Sequence, residues 1–80
     1  MSTPARLLLL EDERNVAETL IERLQSAGFA VTRADSLASA RRAIGESSFQ
    51  LAILDVGLPD GSGFDLARQL RARAPGTAIL

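Results

Sequence analysis

Two hydrophobic periods take turns along this chain. Short runs of near-consecutive apolar residues occupy 6–10, 29–34, 49–54 and 77–80, and between them apolar residues return every three or four positions. Leu7 to Leu10 and Leu51 to Leu54 are apolar on both alternations, which suits strands buried on both faces of a parallel sheet. The run 29–34 alternates only in part and predicts a short second strand near an edge. Three helices are expected between the strands. The first, 15–27, draws a stripe from Val16, Ala17, Leu20, Ile21, Leu24 and Ala27. The second, 37–46, turns Leu37, Ala40, Ala43 and Ile44 inward, and the third, 63–73, does so with Phe64, Ala67, Leu70 and Ala74. Punctuation agrees with this division: Gly28 suits a helix stop, Asp35 or Ser36 and then Ser62 suit N-caps, and Pro75-Gly76 closes the third helix. The order βαβαβαβ predicts an α/β fold with a doubly wound parallel sheet. Residues 56–63, with Pro59 and three glycines, read as a loop.

The acidic residues sharpen the picture. Asp55 ends the apolar run in LAILDVGLPDGSGFD, and Glu11-Asp12-Glu13 follow the all-Leu first strand. An ionised carboxylate inside a buried strand costs several kcal/mol. At a strand's carboxyl end it stands where open α/β sheets place their ligand crevices. On this stretch alone, the alternative is that Asp55 merely ends a strand and caps a turn. Glu13 is explained as an acid in the first turn of a helix, favoured by the helix dipole; Glu11 and Asp12 are explained less well. If the first and third strands are neighbours, Glu11, Asp12 and Asp55 meet at one sheet edge. Carboxylates about 5 Å apart repel by roughly 3 kcal/mol per pair at an effective dielectric near 20. Such a cluster calls for a cation, and an all-oxygen ligand set suits Mg²⁺ or a similar hard ion.

Composition excludes several classes. The chain has 80 residues, 46% hydrophobic and 24% charged, enough for one small globular domain. A net charge of −1 makes no electrostatic case for nucleic acid or an anionic membrane. There is no Cys for disulfides or thiol chemistry, and no His to serve as a ligand, acid, base or phosphodonor. All nine basic residues are Arg. Leu7 to Leu10 is too short for a membrane span and is not flanked like a signal peptide, so a cytoplasmic protein is expected.

These residues resemble the receiver domains of two-component response regulators. The resemblance runs from about Arg6 to Leu80 and rests on LLLLEDE, on G-F-x-V-x-x-A after the first helix, and on LAILDVGLPDGSG. It implies a flavodoxin-like sheet of order 2-1-3-4(-5). It implies that Asp55 is the phosphoacceptor for a histidine kinase or phosphotransfer protein. It further implies that Glu11, Asp12, Asp55 and the backbone carbonyl of Gly57 bind Mg²⁺. Such a domain is regulatory, not an enzyme proper, and an output domain outside this chain is expected. The lack of His agrees with a donor His supplied by a partner.

The chain departs from the family pattern in places. It stops before the fourth-strand Ser or Thr and the fifth-strand Lys that contact the phosphoryl group, and Thr77 lies at the wrong end of its strand for that role. Gln50 replaces a common Asp. Residues 6–80 are therefore expected to be a partial receiver lacking its C-terminal part. Two alternatives remain: a receiver-like docking module that is never phosphorylated, and an aspartate-nucleophile phosphohydrolase. The second wants an acid two residues beyond Asp55, where Gly57 stands. Right-handed crossovers predict the first helix on one face and the other two opposite. Without the fourth and fifth helices that the resemblance implies for a full receiver, part of the first and third strands should lie bare beside the first helix, and 77–80 should form an exposed apolar edge. A homodimer that covers such surface is the alternative to a fragment.

Overall fold

The computed structural model describes residues 3–80. Its elements in chain order are β1 (Arg6–Leu10), α1 (Arg14–Ser26), β2 (Ala30–Ala34), α2 (Leu37–Glu46), β3 (Leu51–Leu54), β4 (Gly57–Leu58), β5 (Gly61–Ser62), α3 (Gly63–Arg73) and β6 (Ala78–Ile79). Four strands form one parallel sheet in the order β2-β1-β3-β6. The fourth strand expected from the sequence is β6, so the expected order 2-1-3-4 is observed. β2 is an edge, as its partial alternation suggests.

Register explains how one run of leucines serves two cores. Leu8 stands opposite Ala52, and Leu9 opposite Ile53. Successive side chains point to opposite faces. Leu8, Leu10 and Ala52 therefore join Leu37, Ala40, Leu66 and Leu70 beneath α2 and α3. Leu7 and Leu9 join Ala17, with Leu20, Ile21 and Leu24 packed against them beneath α1. The four leucines of β1 are each at most 1% exposed, and burying each contributes about 1.5–3 kcal/mol. A central parallel strand admits no polar position, which is why both alternations are apolar.

The helices end where side chains satisfy their free backbone groups. Ser36 and Ser39 form a reciprocal capping box on α2, and the Ser62 hydroxyl accepts from Phe64 N at the start of α3. Gly28, at φ +97°, lets the chain reverse after α1. Glu13, expected in the first turn of α1, is instead its N-cap and accepts from Asn15 N at 2.8 Å.

Several expectations need correction. Val16 is 44% and Phe64 62% exposed, and Ala27 is exposed as well, whereas Leu66 is fully buried. The inward stripe of α3 is Gly63, Leu66, Ala67 and Leu70, about one position round from the expected one. The docking of its first turn against β3 sets that rotation. Residues 56–63 are not a plain loop, because β4 and β5 pair as a small antiparallel ribbon. Strand β1 is not bare beside α1, since Leu7 and Leu9 are covered; Leu51 and Ile53 of β3 are half-buried. β6 pairs with β3 on one side. Leu80, Val56 and Phe64 are exposed, and a groove of about 280 Å³ runs from Leu54 and Val56 to Phe64 and Leu80. Among the described residues no helix is long and apolar enough to cross a membrane.

Candidate functional site at the carboxyl edge of the sheet

Parallel pairing puts the carboxyl ends of β1, β2 and β3 on one edge. Asp55 N donates to Leu10 O at 2.9 Å, and Glu11 N donates to Ala34 O at 3.0 Å, so both acids leave the sheet from ladder positions. Glu11, Asp12 and Asp55 each bring a carboxylate oxygen within 4.8 Å of the others. The three acids picked out in the sequence thus meet in space, through the adjacency of β1 and β3.

Their protons are shared unequally. Partial burial, then hydrogen bonding and repulsion from Asp55, push the Glu11 carboxyl above its ordinary value, against the opposing pull of the Glu13 backbone. Hydrogen bonding from Glu11 holds Asp55 below its ordinary value, helped by the backbone amides of Gly57 and Val56 and opposed by burial. Gly57 N donates to Asp55 Oδ1 at 3.3 Å. The result is an ionised Asp55 beside a Glu11 that keeps a proton longer, as expected where neighbouring carboxylates cannot all ionise freely. A divalent cation would relieve that conflict, and the all-oxygen donor set fits a hard ion.

Two ties hold the walls of this site, and sequence reading missed both. On the β1–α1 side, the Arg33 guanidinium reaches from the end of β2 to the carbonyls of Glu11 and Asp12. On the other side, the Asp60 carboxylate of the ribbon accepts from Leu37 N at 2.8 Å and Ala38 N at 3.1 Å. With the Ser36 hydroxyl on Ser39 N, the first three amides of α2 all have side-chain acceptors. These backbone hydrogen bonds lower the Asp60 carboxyl from its ordinary value. A charged residue that is only half exposed, near the end of β2, was the available signal for Arg33. Asp60 read only as a turn residue, because nothing in the sequence places α2 beside it.

The glycines of the segment differ in their reasons. Gly61 has φ +149°, backbone that other residues resist. Gly57 and Gly63 do not. Gly63 is required by contact, since a Cβ there would fall on the backbone carbonyl oxygen of Asp55, well inside van der Waals distance. Thr77, by contrast, donates its hydroxyl to Phe49 O at 2.6 Å, joining the starts of β6 and β3 at the opposite edge from the acids.

Residues 7–80 match the response regulator receiver domain family. The chain belongs to that family. Among curated relatives of this receiver, the transcriptional regulatory protein CreB of Escherichia coli is 45% identical over 76 residues, which cover 90% of this chain and 31% of CreB. The chain spans about a third of the length of the first curated relatives it matches. The response regulator TrrA of Thermotoga maritima, solved in complex with Mg²⁺ and BeF, superposes with TM-score 0.88 at 31% identity. The match covers 94% of this receiver and 65% of that chain. The same regulator solved in complex with the histidine kinase ThkA superposes with TM-score 0.86, again at 31% identity and with the same coverage.

Proposed function

We propose that Asp55 is the phosphoacceptor of this receiver and takes a phosphoryl group from a phosphohistidine of a histidine kinase or phosphotransfer protein. The meeting of Glu11, Asp12 and Asp55 within 4.8 Å carries this reading. It is supported by the kinase and Mg²⁺–BeF complexes of the TrrA neighbour. Residues 6–80 then form the N-terminal part of a receiver domain, with an output domain further along the polypeptide, as the transcriptional relatives suggest.

The residues divide the work. Asp55, the acid with the lowered value, is ionised at neutral pH and presents a carboxylate oxygen as nucleophile. Its oxygen bonds to phosphorus as the bond from phosphorus to the imidazole nitrogen breaks, and the imidazole leaves with the electron pair. Glu11 and Asp12, with Asp55 and the Gly57 carbonyl, would hold Mg²⁺. When bound, the ion supplies positive charge to the phosphoryl oxygens as charge spreads over them. Glu11 must give up its proton for such binding, so binding should weaken as pH falls through its raised value.

Incubation with acetyl phosphate and MgCl₂, followed by intact-mass measurement, tests the reading. One acid-stable, base-labile phosphoryl adduct is expected on the wild type and none on Asp55→Asn, which keeps the shape and loses the nucleophile. Normal uptake by the variant would mean that the acceptor is elsewhere. No uptake by the wild type would favour a docking module.

A further inference from the structure

Arg33 makes an unusual choice of partners. Its half-buried guanidinium donates to the backbone of two acidic residues and, among the described residues, to no carboxylate: Nε and Nη2 each lie 3.2 Å from Glu11 O, and Nη2 lies 3.4 Å from Asp12 O. The only ion pairs among the described residues are Arg14 with Glu18 and Arg68 with Asp65. Among the same residues no other side chain donates to these two carbonyls. The two bonds at the Glu11 carbonyl and the one at the next carbonyl use the fixed fork of the guanidinium, which an ammonium cannot reproduce. Arg33 also lies in register opposite Leu9, one residue before the Ala34 carbonyl that receives Glu11 N. Glu11 is therefore tied to the end of β2 through both its N–H and its C=O.

We propose that Arg33 is a positioning residue for the cation site: it fixes the backbone of Glu11 and Asp12 so that their carboxylates converge with Asp55 while remaining free to bind a divalent cation. The inference rests on the cation-binding reading of that cluster. Mutual repulsion of the acids favours a splayed loop, and a cation seated on the carbonyls opposes splaying without occupying the carboxylate oxygens. Groups that orient first ligands in this way commonly change metal affinity by about 10–100-fold when removed.

Charge and positioning predict opposite signs. Deleting a positive charge beside a cation site, by itself, tightens cation binding. Loss of a positioning contact loosens it. Amide NMR shifts of the intact protein titrated with MgCl₂, well below the unfolding midpoint of each variant, give the Kd. Arg33→Ala should raise it about tenfold, Arg33→Lys should fall between Ala and wild type, and the Asp12 and Glu13 amides should exchange faster in both. An unchanged or lower Kd in Arg33→Ala overturns the proposal, because a residue serving only stability would lower the midpoint and leave the Kd alone. If Arg33→Ala does not fold, Arg33→Lys decides: a wild-type Kd overturns the proposal and a raised one supports it. A wild type that shows no Mg²⁺-dependent shifts removes the reading of the acidic cluster and this proposal with it. That outcome is distinct from a wild type that binds while the Arg33 variants bind equally well.

Discussion

The two walls of the acidic site are built in opposite ways. The β1–α1 connection spans only Glu11, Asp12 and Glu13, and gives two of them to the site and the third to the N-cap of α1. It has almost no structure of its own and is held by Arg33 from outside. The connection from β3 to α3 runs from Asp55 to Ser62, gives one acid to the site, and folds on itself as the β4–β5 ribbon. It is anchored at its far turn by Asp60 on α2 and at its end by Gly63 against the Asp55 carbonyl. A short loop at a ladder end inherits its position from the sheet. A long one must make its own, and the glycines and the cap are the means.

The contrast predicts that the long wall is broken by sterics and the short one by chemistry. Gly63→Ala should have the largest effect. The added methyl meets backbone, which cannot rotate away, so a loss of about 3 kcal/mol or more is expected in urea unfolding. Phosphoryl uptake should fall with it as Asp55 is displaced. A variant with the stability and uptake of the wild type would show that α3 can slide off β3 freely. Asp12→Ala should leave the fold intact and remove most of the rise in thermal midpoint produced by millimolar MgCl₂. That rise corresponds to about 2.7 kcal/mol when the ion is at 100 times its Kd. An equal rise in the variant would take the metal away from the short wall.

Asp60→Asn should have the smallest effect, a drop of several degrees in thermal midpoint, because it weakens a cap rather than the core. Its pH dependence has a definite sign. The Asp60 carboxyl is lowered in the folded protein by the Leu37 and Ala38 amides. Its stabilising contribution is therefore complete above the ordinary carboxylate value of about 3.9 and is lost as pH falls through the lower folded value. The difference between wild type and Asp60→Asn should stay flat from neutral pH to about 5 and shrink below about 4. A difference that grows on acidification would mean that Asp60 is not the ionised cap of α2.

The two faces of the sheet differ as well. One helix covers Leu7 and Leu9 fully but leaves Leu51 and Ile53 half-open, whereas the two helices opposite bury Leu8, Leu10 and Ala52. Both β1 and β3 are interior strands, but the cluster beneath α1 centres on Leu7 and Leu9 of β1 and takes Leu51 and Ile53 of β3 only at its margin.

Local pattern by itself determined the alternation of strands and helices, the parallel sheet, and the candidacy of Asp55, Glu11 and Asp12. Each follows from periods that local sterics and burial impose within a few residues. Side-chain rotation of α3, the exposure of Phe64 and Val16, and the covering of β1 needed the packed molecule, because a helix of this length has more apolar residues than one stripe holds. The ties through Arg33 and Asp60 join positions 22 and 23 residues apart. No local period encodes such a contact: it exists only once folding has brought β2 beside β1 and the ribbon onto α2.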